Sequence, residues 1–126
     1  MDATRSRLYV LYALHGNYPD RVAVYSLAPS GASRIGTVLV EDGGPQGGTG
    51  IAVNPTTGHV FVVNSARNTV TVIDGPTMSV MATVSVGLDP GMVGVNSATN
   101  KVYVSNRGDN TVQVIDDTFV RRPRRQ

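Results

Sequence analysis

Cysteine and tryptophan are both absent from the 126 residues, and charged side chains make up only 16% of them. Without cysteine there are no disulfide staples, no thiolate metal sites and no cysteine nucleophile, and the redox compartment stays open. No apolar run approaches the roughly 20 residues that span a bilayer. The opening Met1-Asp2-Ala3-Thr4-Arg5-Ser6-Arg7 leads into alternating sequence instead of a continuous apolar stretch, which separates it from a signal peptide. Helical periodicity is missing as well: no stretch repeats apolar residues at a spacing of about 3.6.

What is present suits one globular domain: 40% of the residues are hydrophobic, with 14 glycines and 7 prolines to supply turns. The formal charge of +2 comes from 11 basic against 9 acidic residues, but four of the bases are Arg121, Arg122, Arg124 and Arg125. Without them the count is 7 against 9, or −2, so a mildly acidic body carries a basic tail. That is no nucleic-acid footprint, and nucleic acid is not an expected partner.

Self-similarity organises the chain. A shift of 42 lays Val53–Asp74 over Val95–Asp116, and 12 of the 22 pairs are identical. Among them are Val62/Val104, Asn64/Asn106, Asn68-Thr69-Val70 on Asn110-Thr111-Val112, and Val72-Ile73-Asp74 on Val114-Ile115-Asp116. A weaker copy opens the chain, with Asp2–Val10 at an offset of 52 from Asn54–Val62 and Arg21–Val24 at 48 from Thr69–Val72. The changing offset marks an insertion in Ala13–Asp20, and a second falls in Gly43–Gly50.

Short alternating or β-branched runs between Asn, Gly, Pro and Asp predict strands. They are expected at Arg7–Ala13, Arg21–Leu27, Ile35–Val40, Gly50–Asn54, His59–Asn64, Thr69–Asp74, Val80–Val86, Met92–Asn96, Lys101–Asn106 and Thr111–Asp116. A four-stranded antiparallel unit repeating about every 40–45 residues is the pattern of a β-propeller blade. Both faces of the central unit are apolar, as a blade between two neighbours requires. Val60, Val62, Val70 and Val72 are expected on one face, with Phe61, Val63 and Ile73 on the other.

Tyr103-Val104-Ser105-Asn106 followed by Asn110–Asp116, and Phe61-Val62-Val63-Asn64 followed by Asn68–Asp74, resemble the YVTN β-propeller repeat of YncE-like and archaeal surface-layer proteins. The first copy departs from it, with Tyr9-Val10-Leu11-Tyr12 lacking the final Asn and Tyr25-Ser26 in place of Ile-Asp. The resemblance implies a propeller fold and extracytoplasmic or cell-surface relatives. It implies little about activity, since such blades serve as binding scaffolds, as structural surface-layer repeats and in lactonase-, lyase- and dehydrogenase-subunit-like proteins.

The expected organisation is a propeller segment over residues 1–120 and a basic tail over 121–126. Its blades fall at about 2–42 (partial), 50–86 (full) and 92–117 (partial), which gives three, four and three strands. Three blades do not close a ring. The chain then belongs to a longer propeller, pairs with a second copy as a half-ring, or stands as an open arc.

Strand direction puts both insertions on one rim with Arg67, Asp89, Arg107 and Asp109, and puts Thr57, His59 and Lys101 on the other. Ligand contact is expected from His15, Tyr18, Gln46, Arg67, Arg107 and Asp109, because loops on a rigid scaffold carry function. The ligand class, small molecule or protein, stays open. The glycine-rich Gly43–Gly50 lacks the Gly-Lys-Ser/Thr ending and precedes a strand, so it reads as a connection and not as a phosphate loop. His15 and His59 lie on opposite rims and share no metal. Recurring Asn68/Asn110 and Asp74/Asp116 read as turn residues that bond nearby backbone amides. No catalytic constellation, metal set or cofactor motif is visible, and a binding scaffold is the expected role.

Overall fold

The computed structural model describes residues 6–12, 21–40 and 48–117. Ten strands form three antiparallel sheets: β1 (Arg7–Tyr12), β2 (Arg21–Ala28), β3 (Gly31–Leu39), β4 (Gly48–Asn54), β5 (His59–Asn64), β6 (Thr69–Asp74), β7 (Ser79–Ser85), β8 (Pro90–Asn96), β9 (Lys101–Asn106) and β10 (Thr111–Asp116). Their orders are β1-β2-β3, β4-β5-β6-β7 and β10-β9-β8, so the described residues give the expected three, four and three strands. This is an all-β stack of three propeller blades, open and not closed into a barrel.

The repeat is obeyed in detail. Asn54 and Asn96 each end the innermost strand of their blade, and each side-chain Oδ1 accepts the backbone N–H two residues on, from Thr56 and Ala98 respectively, both at 3.1 Å. Asn68 and Asn110 close the next turn in the left-handed region, with φ of 56° and 57°. Asparagine tolerates that conformation better than other residues that carry a side chain. Asp74 departs from the expected amide-bonding role: its carboxylate accepts the Thr77 hydroxyl at 2.7 Å.

Two hydrophobic layers hold the three blades together. Tyr9, Val22, Val24, Val38 and Val40 of the first blade meet Val60, Val62 and Ile73 of the second. Phe61, Val63, Val70 and Val72 on the other face of the second blade meet Val102, Val104 and Ile115 of the third. This corrects the expected partition of the central blade, because Val70 and Val72 lie with Phe61 and Val63, and Ile73 with Val60 and Val62. The cause is register. Four residues separate Asn64 from its partner Thr69, so the pairs are Val60↔Ile73, Phe61↔Val72 and Val63↔Val70, each odd against even. Directly paired residues point to the same side of a sheet, so odd positions of one strand join even positions of the next.

Four strands, β3, β4, β7 and β8, start earlier than their sequence suggests. β3 begins at Gly31, because Pro29-Ser30 makes a two-residue turn and pairing runs from Ala28↔Gly31 onward. Ser33 and Arg34 are exposed there, so no apolar alternation announces the strand. β8 begins at Pro90, a first-residue position where a missing N–H costs least.

Candidate functional site

The connections β5–β6, β7–β8 and β9–β10 meet on one rim and are bonded to each other. The Asp89 N–H donates to Asn68 Oδ1 at 2.9 Å, and the Val86 N–H to the Asn68 carbonyl at 3.0 Å. Buried Ser65 donates its hydroxyl to the Pro90 carbonyl at 2.5 Å. From the third blade, the N–H groups of Arg107 and Gly108 donate to the carbonyls of Asp89 and Leu88 at 3.0 and 2.9 Å. The rim is cross-braced backbone, not a set of separate loops.

Charged side chains finish the brace. Arg107 Nη2 lies 3.1 Å from Asp89 Oδ1, and both residues are about half exposed. The Arg107 stem lies over Gly91, where an added Cβ would come within 2.6 Å of its Nε. Asp109 accepts the Thr111 hydroxyl at 2.6 Å and the Leu88 N–H at 3.2 Å. These two bonds, the hydroxyl's foremost, hold its carboxyl below the usual range. Arg67 ends the short 3-10 turn Ser65–Arg67 and is exposed.

Arg67, Arg107 and Asp109 therefore share the expected rim, while His15, Tyr18 and Gln46 lie outside the described residues, as does the Arg121–Arg125 cluster. Residues flanking the insertions are described. Tyr12 pairs with Arg21 and Arg21 with Leu39, so the chain enters and leaves the first insertion, and approaches the second, along one sheet edge. Gly48, within the second insertion, pairs with Asn64 on the same rim.

The opposite rim holds a cluster that the sequence reading missed. Asp117, fully buried just past β10, reaches from the third blade into the second. Its Oδ2 accepts from Thr57 Oγ1 at 2.6 Å and Asn54 Nδ2 at 2.7 Å, and its Oδ1 lies 2.7 Å from His59 Nδ1. An ionised carboxylate only accepts, so the imidazole carries a proton on Nδ1. His59 Nε2 is 3.9 Å from Asp74 Oδ1. Burial opposes ionisation of Asp117, yet the bonds from His59, Thr57 and Asn54 outweigh it and hold the carboxyl below its ordinary value.

Every donor in this cluster is turned inward, so the arrangement works as a latch between blades. The first junction uses the same repeat position differently. Arg7, the counterpart of His59, donates through Nη1 to the Gly75 carbonyl at 2.7 Å, and Gly75 is the counterpart of Asp117. A signal existed in the sequence: Arg7, His59 and Lys101 make one repeat position basic in all three copies. Lys101 meets Asp116 at 3.3 Å. Among the described residues no group of three or more His, Cys, Asp or Glu is placed to hold a metal ion. No described helix is long and apolar enough to cross a membrane.

No family model matches this chain, and no curated protein matches it. Solved structures do. It is similar to a 6-phosphogluconolactonase-like protein from Bacteroides fragilis NCTC 9343, with a TM-score of 0.71 at 17% identity over 88% of this chain and 32% of that one. Hydrazine synthase from Kuenenia stuttgartiensis gives 0.65 at 16% identity, covering 88% of this chain and 42% of that one. Apo AztD from Citrobacter koseri gives 0.60 at 21% identity, covering 89% and 29%. This chain thus spans well under half the length of each, and the shared feature is the propeller-type fold.

Proposed function

We propose that this chain is a YVTN-type propeller segment, residues 1–120, that acts as a binding scaffold and presents the braced rim to a small-molecule or protein ligand. The observation that carries the proposal is the rim itself. Three connections are tied together by backbone and by Asn68, Asp89, Arg107 and Asp109, on blades whose central sheet is buried on both faces. A rigid frame lowers the ordering cost of any group mounted on it, which favours binding there. Arg67 and Arg107 are offset by Asp89 and Asp109, so the rim carries little net charge and selects by shape and hydrogen bonding more than by field. His15, Tyr18 and Gln46, in segments that join these strand ends, complete the proposed contact set.

The test is amide chemical-shift mapping against a fragment library of anions, cations and neutral aromatics. Shifts concentrated around Arg67, Arg107, Asp109 and the residues flanking the insertions support the proposal. Shifts concentrated at Thr57, His59 and Lys101 overturn it. Turnover of a sugar lactone by the purified chain would replace the scaffold with an enzyme.

A further inference from the structure

The arc has two ends, and its ends are unlike. In the central blade, Phe61, Val63, Val70 and Val72 are fully buried against the third blade. Their counterparts 42 residues on are Tyr103, Ser105, Val112 and Val114. Pairing puts these four on one face, through Tyr103↔Val114 and Ser105↔Val112, and Met92↔Ser105 adds Met92 to it. On that face Met92 is 65% exposed, Val112 64%, Val114 51% and Tyr103 42%.

The other end carries the opposite half of the same junction. Val60, Val62 and Ile73 of the central blade cover the first blade. Their counterparts in the first blade are Leu8, Val10 and Tyr25. Leu8 pairs with Tyr25 and Tyr12 with Arg21, so Leu8, Val10, Tyr12 and Tyr25 share the face turned away from the second blade. Tyr12 and Tyr25 are joined there by a 3.0 Å hydroxyl contact. Each internal junction joins one face of the first kind to one of the second. Among the described residues, one face of each kind is left without a facing blade, at opposite ends.

We propose that these two faces dock on each other between two copies of this chain, blade three of one on blade one of the other, closing a ring. Three blades per copy give six, within the range of about four to eight that closed propellers use. The contact is head-to-tail, yet two of them close about a two-fold axis, so growth stops at a pair. This inference is independent of what the rim binds.

Sedimentation of the full chain across micromolar concentrations tests it, with far-UV circular dichroism to verify folding of each variant. The wild type is expected at twice the 13.3 kDa chain mass. Val112→Lys on one face and Leu8→Lys on the other should each give monomers. Should Leu8→Lys unfold, Tyr12→Lys probes the same face from an exposed position. An equimolar mixture of the two variants restores one of the two contacts, so pairs should return with a dissociation constant at least tenfold weaker than wild type. A wild-type monomer assigns the faces to another occupant, such as further blades of a longer polypeptide, and overturns the proposal. A pair that survives both Leu8→Lys and Tyr12→Lys means that like faces meet, and mass that grows beyond two copies means that the arc does not close. Either overturns it.

Discussion

Asp117 carries more of this molecule than its place after the last described strand suggests. It is one carboxylate meeting three donors from another blade. Asp117→Ala leaves Asn54, Thr57 and His59 with an unfilled buried partner and should cost about 3 kcal/mol, read as a drop in urea midpoint. Because the folded carboxyl titrates below its unfolded value, this stability is full above about pH 4 and is lost as pH falls through the folded value. Asp117→Asn should therefore flatten the acid limb of the stability–pH curve, while an unchanged limb would remove the latch from the account. Gly75, the same repeat position one blade earlier, sits against Tyr9 and the Gly58 carbonyl, which an added Cβ would approach at 2.5 Å. Gly75→Ala should destabilise by about 2 kcal/mol, in the range of other overpacked sites.

Elements here are short hairpins, and their turns decide their registers. Asn68 both adopts the left-handed conformation and accepts the Asp89 N–H, so it ties its own turn to the next connection. Asn68→Ala should cost about 1–2 kcal/mol of thermal or urea stability, and Asn68→Gly less, since glycine keeps the backbone and loses only the bond. Equal losses would mean that the conformation is not what matters. Identical residues at a spacing of 42 made β5, β6, β9 and β10 legible to the residue, since every one of their bounds agrees with the expected strand. The partition of the central blade's faces was misassigned although those bounds were legible: the four-residue turn pairs odd with even positions, which sets Val72 beside Phe61 and Ile73 beside Val60. The start of β3 was not legible, because it is an outer strand held by backbone pairing whose exposed Ser33 and Arg34 leave no hydrophobic rhythm to read. For the rim, strand parity placed Arg67, Arg107 and Asp109 together. It could not reveal that Arg107 and Asp109 are engaged with Asp89 and Leu88, since those bonds join residues about 20 positions apart. Asp117 escaped for a related reason: its partners lie in another blade.

At the scale of the whole molecule, stability is a chain of nearest-neighbour terms, as in other repeat proteins. The central blade has a neighbour on each face and holds Phe61, Val62, Val63, Val70, Val72 and Ile73 fully buried. Outer strands have one hydrogen-bonded neighbour and mostly exposed side chains; most of β7 and most of β3 face water, with Ala82 and Val84 of β7 only partly buried against the second layer. Local opening should accordingly begin at the outer edges and reach the middle of the central blade only on global unfolding. Native-state amide hydrogen exchange measures this order directly. The paired amides of β5 and β6 should exchange slowest, with opening energies equal to global stability, while those of β3 and β7 exchange through smaller openings. Protection of β5 and β6 no greater than that of β3 and β7 would contradict a stack of blades held together through its central sheet.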